Sequence, residues 1–571
     1  MNWFVFFLFM MIAANGFGVN GALLACVSTI EKRFGFNSKQ SGLIIAAYDI
    51  GYLVFAFPFG WLSKKISLGG SLGPAGVAIA LGGALYFIPH FGTPNAPILG
   101  EEDSEPNVCS LSRENHVFEA IDQSGWLACF IIAGILTGMG NSVLWTRGVT
   151  AAEDQTNEQK GGVNISICNG GSVAGPLLGI FISVFVLGIW TDISYHESVD
   201  LDPSDPNWIG AWWLPFLIQF LFAFLTFPFL FGYPKVLPEA PERKRSEKTD
   251  FWSEFKATKV VLKNACWWFC SFGAICDTFT TAALMGYGMK FLQETYSISA
   301  SVAGLCGGLC AVGGLIGCLI PIPFGTFKLQ SYKLLFICFL TSVATLVVYL
   351  PSLYRFPCDN QEIYGVFDSS GNPIGSEEAD LSSCLSGCSC KNEIFEPVCN
   401  EESAVTYFSP CHAGCLDSNL TDCQCNDYQV SKSLTDGFCE NAIECDSLLK
   451  ISLCFVFVFA FLYVPLPLVP TAYLRQFNSD EKPAATSLNL ILTRLLGSIP
   501  APIIVGAVID EACVVWSETK DGSDGNCLIY DNRQLVHAFS VLPLTMKATA
   551  GLCYLIASYF ARKNDLMKIE N

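Results

Sequence analysis

Apolar residues run in long blocks along this chain, and polar residues gather in the gaps between them. Twelve such blocks lie near 2–27, 41–62, 71–90, 124–146, 163–188, 208–231, 262–289, 302–322, 331–351, 448–470, 484–509 and 541–561. Each reaches the length of roughly 18 residues at which a helix can cross a bilayer core. The pattern predicts an all-α polytopic membrane protein of twelve transmembrane helices, with both termini on one face. Met1 and Asn2 lead into the first block with no basic stretch, and that block is too long for a signal core, so an uncleaved first span is expected.

The gap 352–447 gives the chain its sidedness. It holds eleven cysteines: Cys358, Cys384, Cys388, Cys390, Cys399, Cys411, Cys415, Cys423, Cys425, Cys439 and Cys445. Disulfide-dense loops belong outside the cell. Of the chain's 32 Lys and Arg, most then fall on the opposite face, and of its 51 Asp and Glu, most fall on the cysteine face. That is the positive-inside distribution, and it predicts a multi-pass plasma-membrane protein with both termini cytoplasmic. The net charge of −19 is therefore an outer-surface property, and it argues against nucleic-acid binding.

The remaining cysteines follow the same map. Twelve of the 26 lie inside blocks and read as small packing residues. Cys513 and Cys527 share the last outer gap and are expected to pair. Eleven is odd, and Cys109 is the other outer cysteine, so parity predicts a bridge from Cys109 to the large loop; the connectivity within the loop stays open. Asn419-Leu-Thr421 is an outer glycosylation sequon, whereas Asn164-Ile-Ser166 lies in a block. The organisation read from these features is an N-terminal six-helix half (1–231), a basic cytoplasmic linker (232–261), helices seven to nine (262–351), the Cys-rich loop (352–447), helices ten to twelve (448–561) and a short cytoplasmic tail (562–571).

Within the loop, Cys388-Ser-Cys390 to Pro397-Val398-Cys399, followed by Thr406-Tyr407 and Cys411 to Cys415, resembles a Kazal-type module spanning about 384–425. This insert, together with Trp208-Ile-Gly210-Ala-Trp212-Trp213 entering block six, resembles the organic anion transporting polypeptides of the major facilitator superfamily. Further matches are Ile30-Glu31-Lys32-Arg33-Phe34, Ser41-Gly42-Leu43, and Ile499-Pro-Ala-Pro-Ile503 to Gly506-Ala-Val-Ile-Asp510. The chain departs from the family signature at Asp205-Pro-Asn207-Trp208 and Pro215. The resemblance implies two six-helix halves, alternating access about a midplane site, and sodium-independent uptake of large amphipathic organic anions such as steroid conjugates, bile salts, prostanoids or thyroid hormones. It implies anion exchange or pH-stimulated uptake, with bicarbonate or a proton as the coupling species, and no cofactor.

Chemistry is sought among ionisable groups inside blocks, where each is costly unless paired or hydrated. Asp49, Asp277, Arg494 and Lys547 meet that test. Arg494 offers a planar donor fork suited to carboxylate or sulfate, and the family places a basic residue at this point. An ion pair to Asp49 or Asp277 is the competing reading for Arg494, and snorkelling to a helix end is the competing reading for Lys547. Asp49 and Asp277 are read as coupling or gating partners. His90, in Ile88-Pro89-His90, matches a family element tied to outside acidity, yet the arginine that would accompany it is replaced here by Thr137. Asn15 and Asn20 are candidate substrate hydrogen-bonders, with interhelical bonding as the commoner use. Trp208, Gly210, Trp212 and Trp213 make up the signature motif of the resemblance, and the three tryptophans read as an interfacial aromatic belt.

The five histidines lie at or beyond the outer membrane edge with no metal-ligand spacing, and no nucleotide-binding loop is present, so the sequence points away from an enzyme. A surface protease-inhibiting or binding protein acting through the Kazal-like module is the alternative. Twelve spans containing charged residues exceed what an anchor needs.

Overall fold

A computed structural model of the chain describes residues 3–63, 66–94, 123–149, 151–152, 158–193, 203, 208–234, 258–321, 329–355, 363–364, 395–400, 405–415, 423, 434–437, 439, 447–478, 481–518 and 524–570. Cys109, Cys358, Cys384, Cys388, Cys390, Cys425, Cys445, Asn419 and most of the linker lie outside the described residues.

The N-terminal half contains α1 (Trp3–Phe34), α2 (Ser38–Ser63), α3 (Leu68–Gly92), α4 (Gln123–Val143, continued by a π turn Leu144–Val149), α5 (Glu158–Leu187) and α6 (Leu214–Leu230). The C-terminal half contains α7 (Ala265–Tyr296), α8 (Ala300–Leu319), α9 (Ser331–Arg355), α10 (Leu448–Leu474), α11 (Ala484–Asp510) and α12 (Asn532–Glu570). Among the described residues, ten of these helices are long and apolar enough to cross a membrane; α2 and the shorter α6 take the second and sixth places. Large apolar side chains such as Phe185, Leu225, Val347 and Tyr559 face outward, more than 60 % exposed, which suits a lipid-facing surface and no aqueous one.

Local chemistry fixes several helix ends. Ser67, Asn264 and Ser299 accept bonds from the backbone amides of Gly70, Trp267 and Val302 and so cap α3, α7 and α8. Gly35, with φ 67°, ends α1 in a left-handed turn that a Cβ would strain. Glycines in α5 and α8 allow the closest crossings: a Cβ at Gly175 would stand 2.2 Å from the Ala13 carbonyl on α1, and one at Gly317 would stand 2.1 Å from the Ala460 carbonyl on α10.

Several helix boundaries differ from the hydropathy pattern. Helix α1 runs on to Phe34 and α7 to Tyr296, α5 starts at Glu158, and α12 runs from Asn532 to Glu570 through most of the expected tail, so charged residues assigned to loops lie on helices. Hydropathy ends a span at its first charge, but a paired charge can continue it. The tryptophans before α6 also differ. Trp208, Trp212 and Trp213 are buried in an irregular segment, and the indoles of Trp208 and Trp213 donate to the carbonyls of Leu187 and Thr191 at 2.9 Å each. Gly210 lies against α5, where a Cβ would be 2.4 Å from the Leu187 carbonyl. This segment locks α6 to the end of α5, a packing role that an aromatic belt would not fill.

The Cys-rich segment forms a small four-stranded sheet from β1 (Ile363–Tyr364), β2 (Val398–Asn400), β3 (Val405–Tyr407) and β4 (Thr435–Asp436), in the order β1-β3-β2-β4. Cys399 is bonded to Cys439, and Cys415 to Cys423. The hairpin of β5 (Cys513–Glu518) and β6 (Asp524–Tyr530), joining α11 to α12, carries the Cys513–Cys527 bond. Among the described residues, twelve cysteines are free, and all lie on helices.

The two halves meet chiefly along α2 against α11 and α5 against α8. The side-chain contacts between them gather toward the end of the bundle that carries the Cys-rich segment.

Candidate functional site

Arg494 stands where α11 loosens. It opens a π turn, Arg494–Ser498, and such turns are frequent at functional sites because they turn a side chain off the helical register. Its guanidinium pairs with Asp49 of α2, so this ion pair joins the two halves. The same guanidinium lies over Tyr52, with its central carbon 3.7 Å from the ring centroid. The pair uses one edge of the donor fork; Nε is buried and has no partner among the described residues. The two side chains keep 20 % and 17 % exposure, so the pair is only partly buried.

Polar groups of the N-terminal half extend this site. The Tyr48 hydroxyl, one residue before Asp49, accepts from Asn141 Nδ2 at 2.5 Å and from Asn15 Nδ2 at 3.3 Å. Asn15 Oδ1 is buried without a partner among the described residues. Asn20 is exposed and sits in a second π turn, Phe17–Ala22, in the middle of α1. Asn15, Asp49 and Arg494 thus come together around Tyr48 and Tyr52; Asn20 has no recorded contact with them.

Lys547 lies elsewhere. Its ammonium donates to Asp277 Oδ1 at 2.7 Å, and the Tyr554 hydroxyl donates to Asp277 Oδ2 at 2.6 Å. All three belong to α7 and α12 of one half, and Lys547 is 1 % exposed. Both carboxylate oxygens are engaged, and the ammonium is enclosed by packing.

His90 is half-buried at the Cys-rich end of α3 and stacks on Trp213, with centroids 4.5 Å apart and planes 9° from parallel. Thr137 is buried, and its hydroxyl donates back to Ala133 and Gly134 of its own helix at 3.0 and 2.8 Å. No cation stands at position 137 to face the imidazole.

The residues that the sequence reading missed are Glu31, Tyr287, Lys290, Asp510 and Tyr554. Lys290 pairs with Glu31 across the halves, both nearly fully buried. Each sits within one or two turns of a span end, where hydropathy alone cannot separate a buried partner from a snorkelling one. Asp510 and Glu31 lie in segments that carried the family resemblance, which was the one signal that could have drawn attention to them. A cavity of about 290 Å³ lies between α11 and α12, lined by Glu511, Arg533, Gln534 and His537, but it includes none of the ion-paired residues described above.

Two helical halves, joined by the Glu31–Lys290 and Asp49–Arg494 ion pairs, have the shape of membrane transporters of the major facilitator fold. Solved structures of similar shape include a bacterial homolog of the human lysosomal transporter Spinster, inward-facing and unoccupied, with TM-score 0.59 and 11 % identity over 98 % of both chains. A D-xylose-proton symporter follows, with TM-score 0.55 and 13 % identity over 98 % of this chain and 97 % of that one. The sequence profile of the Organic Anion Transporter Polypeptide (OATP) family matches residues 3–535, and the chain belongs to that family. Similar curated proteins include solute carrier organic anion transporter family member 4C1 of Pongo abelii, 28 % identical over 94 % of this chain and 78 % of that protein. Member 4A1 of Mus musculus is 27 % identical over 98 % and 82 %, and member 1A1 of Rattus norvegicus is 26 % identical over 96 % and 89 %.

Proposed function

We propose that this chain is a sodium-independent plasma-membrane carrier that takes up large amphipathic organic anions, steroid conjugates among them, by alternating access. Twelve spans in two halves would frame the path, and the Cys-rich insert, Kazal-like in sequence, would sit on the outer face. The observation that carries this reading is the Arg494 guanidinium, held at the interface of the halves by Asp49 and Tyr52 with Nε–H unspent. An incoming sulfate or carboxylate competes with Asp49 for the fork, and the steroid body packs on apolar and aromatic walls. Because Asp49 and Arg494 belong to different halves, their exchange of partners couples anion occupancy to the packing of α2 on α11.

Asn15, Tyr48 and Asn141 supply neutral hydrogen bonds beside this anchor. Lys547 acts as an electrostatic brace between α7 and α12, since its charge is consumed by Asp277. Coupling through bicarbonate or a proton at His90 lacks a cationic partner at Thr137, so the anion gradient itself is read as the driving force. The test is uptake of labelled estrone sulfate into cells expressing the chain, with and without sodium. Saturable, sodium-independent uptake is expected, stimulated by anion on the far side. No uptake across a broad panel of amphipathic anions would overturn the proposal.

A further inference from the structure

Three stretches that the anion site does not use meet at the Cys-rich end of the bundle: Glu31 of α1, Ser38 to Gly42 of α2, and Gly506 to Asp510 of α11. Glu31 pairs with Lys290 of α7 and accepts from the Ser41 hydroxyl. Lys290 Nζ donates to Ser38 Oγ at 2.8 Å. Asp510 accepts from the backbone amides of Ser38 and Lys39, both at 3.0 Å, so a carboxylate of one half caps a helix N-terminus of the other. The Tyr287 hydroxyl lies 2.5 Å from the Ser38 carbonyl and 3.1 Å from the Pro502 carbonyl.

Two glycines make the approach possible. A Cβ at Gly42 would stand 2.4 Å from the Pro502 carbonyl, and one at Gly506 would stand 2.3 Å from that of Ser38. The disulfide-closed hairpin covers the cluster: Tyr530 of β6 has its hydroxyl 3.5 Å from Ser38 Oγ and its ring centroid 5.3 Å from Lys290 Nζ.

We propose that Glu31, Ser38, Lys290, Asp510 and Tyr530 form the gate on the Cys-rich side, with Lys290 positioning the latch and taking no part in anion recognition. The proposal rests on the transport reading above. Its physical basis is that these bonds between α1 or α2 and α7, α11 or the hairpin exist only while the halves touch. Parting them returns two carboxylates, an ammonium and a helix end to water. Desolvation and pairing nearly cancel for such groups, so a charged latch can be close to balanced between shut and open, which a gate requires. An apolar seal would instead expose surface each time it opened.

The test places a reporter cysteine at Asn15 and measures labelling by a membrane-impermeant maleimide from the outside, against the parent chain as background. Lys290→Met, Glu31→Gln and Asp510→Asn should each raise reporter labelling several-fold. The exchanged pair Glu31→Lys/Lys290→Glu should bring it back toward the parent value. In uptake assays, run on chains that keep Asn15 and carry no reporter, the maximal rate should fall while KM for external anion does not rise. Surface-expressed variants with unchanged labelling and unchanged maximal rate would overturn the proposal. So would a KM raised tenfold or more by Lys290→Met with the maximal rate intact, because Lys290 would then be an anion anchor. Labelling that responds in the reporter chain, while the chain that keeps Asn15 takes up no anion, would support the gate and remove the transport reading. Asp510→Asn keeps the side-chain shape and serves where the buried-charge variants do not reach the surface.

Discussion

Lys547 offers the sharpest separation between a brace and a binding group. Lys547→Met removes the ammonium that sits 2.7 Å from Asp277 and leaves that carboxylate with Tyr554 alone. Stranding one member of a buried pair costs about 3–5 kcal/mol, whereas replacing both members by apolar residues of similar volume is near neutral. Asp277→Leu alone should be as damaging as Lys547→Met, because Lys547 is 1 % exposed and cannot reach water. The double variant should recover most of the loss, a coupling of about 2 kcal/mol or more in a double-mutant cycle. Tyr554→Phe removes one bond to a charged acceptor, worth about 1.5–3 kcal/mol. The assay is the denaturation midpoint of purified protein in detergent, followed by intrinsic fluorescence, with surface expression scored in parallel. Lys547→Met at wild-type stability, combined with a raised KM for anions, would refute the brace and return Lys547 to the binding site.

Two further expectations follow from particular contacts. Gly506→Ala puts a methyl 2.3 Å from the Ser38 carbonyl and 2.4 Å from the Tyr287 hydroxyl, so it should hold α2 and α11 apart and lower the maximal uptake rate several-fold while the protein still reaches the surface. His412, buried in the Cys-rich segment with Nδ1 2.8 Å from Ser409 Oγ, is pushed down by burial from 6.5 to about 4. A lowered histidine pKa means that the unfolded segment binds the proton more readily, so stability is full above pH 6.5 and falls between 6.5 and 4, by at most about 3–4 kcal/mol. Protease resistance of the segment on intact cells should drop over that window and stay flat in His412→Gln.

Much of the architecture was legible because lipid makes apolar blocks long and unambiguous. Charges at block ends were the weak point. Lys290 lies a turn and a half from the end of α7 and Glu31 one turn from the end of α1, so each looked like a loop charge until tertiary pairing put them together. Arg494, Asp49, Asp277 and Lys547 stood out because isolated charges within apolar runs need partners. Sequence could not say which carboxylate each cation would take, since that depends on helix rotation. The tryptophans before α6 show the opposite failure: composition suggested an interfacial belt, but backbone carbonyls of the α5 end claimed their indole donors.

The central claim is that Arg494 anchors the anion and that Asp49 holds its place in the unloaded carrier. The most direct measurement is KM for estrone sulfate in Arg494→Ala, Arg494→Lys, Asp49→Asn and the Asp49→Asn/Arg494→Ala double variant, each normalised to surface expression. Loss of a charge-assisted bond worth about 1.5–3 kcal/mol predicts a KM increase of about 10-fold to 150-fold in Arg494→Ala and in the double variant, where no carboxylate is stranded. Asp49→Asn should lower KM by freeing the guanidinium, and Arg494→Lys should fall between. A wild-type KM in the double variant would contradict the account.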